Sequence, residues 1–112
     1  MITAVERMAT LGDPTRRAIF EMLAEEPSSV AVIARRLPVT RPAVSQHLRA
    51  LREVGLVTHR TEGTRHVYRL DPAGMASIRD YFDLFWQKAL NSFKAAVEQS
   101  PTEQNKSKRR KR

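Results

Sequence analysis

Residues 40–57, TRPAVSQHLRALREVGLV, decide the fold. Val44, Leu48 and Leu51 recur at i, i+4 and i+7, the spacing of one apolar stripe on a helix. Thr40 is a good N-cap, because its hydroxyl can accept from a first-turn N–H. Pro42 sits in the first turn, where backbone N–H groups have no intrahelical partner to lose. Gly55 suits the left-handed residue that ends a helix. At about 100° per residue from Val44, Pro42, Gln46 and Arg49 fall at roughly 140–200°, opposite the stripe. Ser45 lies at about 100° and Arg41 at about 60° in the first turn. His47, at about 300°, falls beside the core edge. There a packing or capping role is favoured over base reading, and a phosphate contact stays open.

Working outward, "SSVAVIARRLP" reads as a short helix capped by Ser28 or Ser29, with Val30, Ile33, Ala34 and Leu37 inward and Pro38 as its stop. Only Leu37 to Thr40 connect it to the next helix, the hallmark of a helix-turn-helix. Upstream, residues 2–11 read as a short amphipathic helix. "GDPTRRAIFEMLAEEP" follows as a second, with Asp13 as cap and Pro14 at its first position. Downstream, "LVTHRTEGTRHVYRL" reads as a hairpin turned by Glu62-Gly63. "DPAGM" then starts a long last helix to about Gln99, carrying Ile78, Phe82, Phe85, Ala89, Phe93 and Ala96 along one side. Tyr81, Trp86, Leu90 and Val97 widen the band beyond what one small domain covers. The order is helix, helix, helix, helix, hairpin, helix. The fold class is mainly α with a β-hairpin wing, a winged helix-turn-helix over residues 1–99. Residues 100–112, SPTEQNKSKRRKR, lack hydrophobes and are expected to form a disordered basic tail.

Charge sharpens the functional reading. The 112-residue chain carries +8 overall. Residues 35–69 hold eight arginines against Glu53 and Glu62, and residues 101–112 hold six basic groups against Glu103. Residues 1–34 and 70–100 are near neutral. A basic stripe between neutral flanks suits a polyanion, and arginine suits bidentate phosphate or base contacts. The exposed face of the fourth helix is free to enter a major groove. Gln46 can pair with adenine, and Ser45 with a base or phosphate. Arg60 and Arg65 flank the wing tip, positioned for phosphate or the minor groove. Arg35 and Arg36 end the third helix, where phosphate binding and simple dipole compensation are equally open.

Other chemistries find little support. No apolar run approaches the roughly 20 residues that cross a bilayer. The N-terminus lacks a signal peptide's basic region. There is no cysteine, hence no disulfide, thiolate site or Cys nucleophile. His47, His59 and His66 lie on different elements without ligand spacing. No Ser/His/Asp arrangement or phosphate loop is visible. A cytoplasmic, nucleoid-associated, non-enzymatic protein without a metal or other cofactor is expected.

"LGDPTRRAIFEML", "RPAVSQHLRALREVGLV" and "EGTRHVYRLDP" resemble the ArsR-type winged helix-turn-helix repressors over about residues 5–97. The resemblance implies a prokaryotic homodimeric transcription factor on a double-stranded DNA operator. It implies DNA contacts at Arg41, Pro42, Ser45 and Gln46, beside which the helical projection and charge place Arg49, Arg60, Arg65 and Arg36. It also implies pairing through the first and last helices, here Val5, Met8, Tyr81, Phe82, Phe85, Trp86, Ala89 and Phe93. Metal sensors of the family use Cys pairs near the third helix or Asp/His/Glu sets on the last. Here the third helix has no Cys, and the last has Asp80, Asp83 and Glu98 without His. The sequence therefore looks more like the metal-independent, autorepressing branch, whose last helix carries a Phe-Trp pair such as Phe85-Trp86. Two other expectations stand beside repression. One is gating by a small ligand at the aromatic band, and the other is nonspecific architectural DNA binding.

Overall fold

The computed structural model of the chain describes residues 2–99. Its elements are α1 (Ala4–Ala9), a 3-10 turn (Thr10–Gly12), α2 (Pro14–Glu25), α3 (Val30–Arg36), α4 (Arg41–Glu53), β1 (Val57–Glu62), β2 (Arg65–Leu70) and α5 (Pro72–Gln99). This is the expected winged helix-turn-helix order. The first helix is shorter than its periodicity suggests. Thr3 starts it with a capping box: its hydroxyl accepts from the Glu6 N–H (3.1 Å), and the Glu6 carboxylate accepts from the Thr3 N–H (2.8 Å). Ile2 therefore precedes the helix, and Leu11 follows in the 3-10 turn.

Local caps set the other helix starts. Asp13 accepts from the Arg16 N–H at 2.9 Å, and Thr40 from the Ala43 N–H at 3.3 Å. Ser29, not Ser28, caps α3 by accepting from the Val32 N–H. Ser28 makes an isolated bridge with Tyr68 instead, exchanging backbone hydrogen bonds of 3.0 and 2.9 Å. That bridge mounts β2 on the residue pair that starts α3.

α4 ends in a Schellman motif. The Gly55 N–H donates to the Arg52 carbonyl and the Leu56 N–H to the Leu51 carbonyl, both at 2.9 Å, with Gly55 at φ 77°. The hairpin register pairs Val57 with Leu70 through to Glu62 with Arg65. Its loop is therefore Gly63-Thr64, one residue later than expected. Gly63 takes a φ of 65° and no non-glycine described residue has positive φ, which fits a two-residue loop with glycine first.

Two units separate along the chain, one up to Arg79 and one from Asp80 onward. In the first, Ile19, Leu23, Ile33, Val44, Leu48, Leu51, Leu56 and Val57 are buried and form one core. The predicted stripe Val44-Leu48-Leu51 thus seats α4 on α2 and α3. The second unit holds the remainder of α5, where large apolar side chains stay in solvent: Phe82 and Phe85 are each 50% exposed, Trp86 62% and Phe93 69%. Tyr81 stacks on Phe85 at 6.3 Å between ring centres.

Candidate nucleic-acid interface

Burying Val44, Leu48 and Leu51 fixes the rotation of α4 about its axis. Arg41, Pro42, Ser45, Gln46 and Arg49 consequently face solvent together. Five candidates from sequence therefore share one face. Arg49 lies 3.6 Å from Glu53 one turn on, with both side chains well exposed. Such an exposed pair is weak and open to exchange for a phosphate.

The wing candidates are exposed as well. Arg60 stands on β1 opposite Val67, and Arg65 on β2 opposite Glu62. Between the wing and the helix-turn-helix lies a groove of about 400 Å³, lined by Ser29, Val30, Ala31, Arg35, Arg41, Ser45, Arg65, His66 and Tyr68. It gathers Arg41 and Ser45 from the start of α4, Arg65 from the wing, and Arg35 from α3. Arg36 is exposed but does not line it; Pro42, Gln46, Arg49 and Arg60 lie outside it too. Arg35 rather than Arg36 is the groove residue because it lies about 200° from the buried Ile33 on a helix, Arg36 about 300°. That difference was available from the sequence.

Of the eight arginines in residues 35–69, Arg49 pairs with Glu53, and Arg69 donates to Glu62 at 3.1 Å. Among the described residues, the guanidinium groups of Arg35, Arg36, Arg41, Arg60 and Arg65 have neither a hydrogen bond nor an ion pair. The groove thus presents three uncommitted cations from three elements, next to the exposed face of α4. Its shape and charge suit a phosphodiester.

The histidines take different places. His47 is half-buried, its Nδ1 is enclosed without a partner, and it is close enough to Asp13 to act on that carboxyl. Asp13 is held below the usual carboxylate range first by the Arg16 N–H, against some desolvation, with His47 assisting. The hairpin brings His59 and His66 together, with ring centres 4.3 Å apart, although sequence spacing suggested no relation. His59 also lies 5.0 Å from the Tyr68 ring. Desolvation lowers the His59 pKa, and the charges of Arg52 and His66 add to that. Among the described residues, no group of three or more His, Asp or Glu side chains is placed to hold a metal ion.

The pairing candidates divide. Val5 is 52% exposed on α1, whereas Met8 is half-buried. Tyr81, Phe82, Phe85, Trp86, Ala89 and Phe93 are all exposed on α5, joined by Leu84 and Leu90. Ile78, counted with that band in the sequence, packs on the core instead. The basic tail, residues 100–112, lies outside the described residues. Among these, no helix is long and apolar enough to cross a membrane.

Comparison with known proteins finds helix-turn-helix transcriptional regulators. The helix-turn-helix domain family model matches residues 11–60. The chain is 51% identical over 88 residues to the HTH-type transcriptional regulator Rv2034 of Mycobacterium tuberculosis, covering 79% of this chain and 82% of that protein. Among solved structures it is similar to an ArsR-like transcriptional regulator from Rhodococcus sp. RHA1, with a TM-score of 0.72 and 30% identity over 81% of this chain and 86% of that one. It is also similar to the homodimeric winged helix-turn-helix DNA-binding domain Mb0332 from Mycobacterium bovis. There the TM-score is 0.59 and the identity 31%, over 87% of this chain and 82% of that one.

Proposed function

Since the chain belongs to the ArsR family of helix-turn-helix transcriptional regulators, and so is a DNA-binding regulator and not an enzyme, we propose that it is a homodimeric repressor that recognises an inverted-repeat operator without a metal cofactor. The observation that carries this reading is the convergence of Arg35, Arg41 and Arg65, all uncommitted, beside the exposed Pro42-Ser45-Gln46 face of α4. Phosphate contacts position a protein on the duplex, and base contacts specify the sequence. The groove supplies the first and Gln46 with Ser45 the second. Arg36, Arg49 and Arg60 reach further phosphates from the rim.

Dimerisation is supported by the exposed aromatic band. Large contiguous apolar surface on a helix marks a partner site. Tyr81, Phe82, Phe85, Trp86, Ala89 and Phe93 supply it on α5, and Val5 and Met8 on α1. The two-fold places two reading helices about 34 Å apart, in successive major grooves. Occupying an operator at the chain's own promoter would make it an autorepressor. Metal independence is supported by the chemistry of the sequence, which has no cysteine and no histidine on α5. The basic tail, 100–112, adds sequence-independent affinity.

The test is footprinting on genomic promoter fragments with and without EDTA. One protected inverted repeat, unchanged by the chelator, is expected. Protection that vanishes with EDTA contradicts metal independence, and uniform weak protection favours an architectural binder. Release from the site by one member of a metabolite panel would favour gating at the Tyr81–Phe93 band.

A further inference from the structure

Arg7 sits where three elements meet. Its Nε donates to the Val54 carbonyl at 2.8 Å, and its Nη1 donates to the Ser77 hydroxyl at 2.7 Å and the Ile2 carbonyl at 3.3 Å. Val54 is the residue that closes α4. The Schellman bonds satisfy the Leu51 and Arg52 carbonyls, and the Val54 carbonyl is taken by Arg7. Behind this contact Gly74 of α5 packs on Gly55 so closely that a Cβ there would overlap the Gly55 carbonyl. The Asp71 N–H donates to the Leu56 carbonyl at 2.9 Å. α1, the C-terminal end of α4 and the first turns of α5 therefore form one joint with Arg7 as its pin.

Arg7 is half-buried and, among the described residues, makes no ion pair. Its charge is directed at neutral acceptors on other elements, where charge-assisted hydrogen bonds are strong and directional. That is the chemistry of alignment. α4 is about 20 Å long, so a tilt of roughly 10° at its C-terminal end moves its start by about 3 Å, close to one base-pair step.

We propose that Arg7 is a positioning residue that fixes the reading helix against α1 and the first turns of α5 and so sets the half-site spacing the dimer accepts. This rests on the dimeric operator reading above. Across a two-fold, slack at each joint acts on both reading helices. A loose joint would therefore blunt discrimination between spacings, not only weaken binding.

The experiment uses the full chain and a set of operators with half-sites moved one and two base pairs closer or further apart. Wild type, Arg7→Met and Ser77→Ala are titrated against each, with circular dichroism to confirm folding. Wild type is expected to prefer one spacing, and Arg7→Met to lose about tenfold of that preference, the scale of one charged hydrogen bond. Ser77→Ala, which removes a single acceptor, gives a smaller loss in the same ratio. A purely structural role would lower affinity for all spacings alike and leave the ratio unchanged. Should Arg7→Met not fold, Ser77→Ala decides. A wild-type ratio in every variant that folds overturns the proposal. A wild-type protein that footprints one site yet shows no preferred spacing overturns both this proposal and the dimeric reading.

Discussion

Arg41 and Arg65 present uncommitted guanidinium groups to one groove, whereas Gln46 presents a neutral amide outside it. If the groove seats phosphate, removing either arginine lowers the number of counterions released. Each substitution acts in both protomers of the proposed dimer, so the slope of log affinity against log salt should become shallower by about 1.8 for Arg41→Ala or Arg65→Ala, and remain unchanged for Gln46→Ala. Fluorescence anisotropy across a salt series reads this directly. His59 supports a second residue-level prediction. Its folded pKa is lowered by desolvation, with Arg52 and His66 adding to the effect. The unfolded chain takes up a proton near the ordinary value of 6.5, and the folded chain only at lower pH. Stability should therefore be full above about pH 7 and fall as pH drops through 6.5 toward the folded pKa. His59→Gln should flatten thermal melts compared between those limits. Asp13 acts in a lower window. Its depressed pKa favours the fold above its ordinary value of 3.8, and that contribution is lost as pH falls through the depressed value.

Among the elements, α4 was the most legible, because its cap, stripe and terminal glycine all lie within one short run of sequence. Thr40, Val44, Leu48, Leu51 and Gly55 each took the place their chemistry dictates. The exposed face followed, since burying one side of a helix fixes the other. What periodicity could not give were contacts between distant elements. Ser28 looked equal to Ser29 as a cap until Tyr68 claimed its backbone. The role of Arg7 has no local signal, because nothing near it in sequence reveals a carbonyl 47 residues away. His59 and His66 seemed unrelated because the hairpin pairing that joins them is non-local. Gly74 is a similar case: it is a helix-interior glycine whose need is set by Gly55. Gly74→Ala would ordinarily favour a helix. Here the added methyl meets backbone, so a loss at the upper end of about 1–3 kcal/mol is expected in chemical denaturation. A stabilised protein would contradict the close approach.

At the scale of the whole molecule, charge and apolar surface divide the labour. The net +8 is concentrated in residues 35–69 and in the tail, while exposed aromatic surface is concentrated on α5 from Tyr81 onward. On the proposed reading, the first meets DNA and the second meets a second copy. Sequence specificity distinguishes a repressor from a basic protein that binds any duplex to some degree. It is tested most directly by selecting bound duplexes from a random pool with wild type and with Gln46→Ala, at matched salt. Wild type is expected to enrich an inverted repeat with half-site centres about 34 Å apart. Gln46→Ala is expected to lose about 1–3 kcal/mol of discrimination at one symmetric base pair and to keep the rest of the motif. A pool that remains random, or a Gln46→Ala motif identical to wild type at every position, would contradict it.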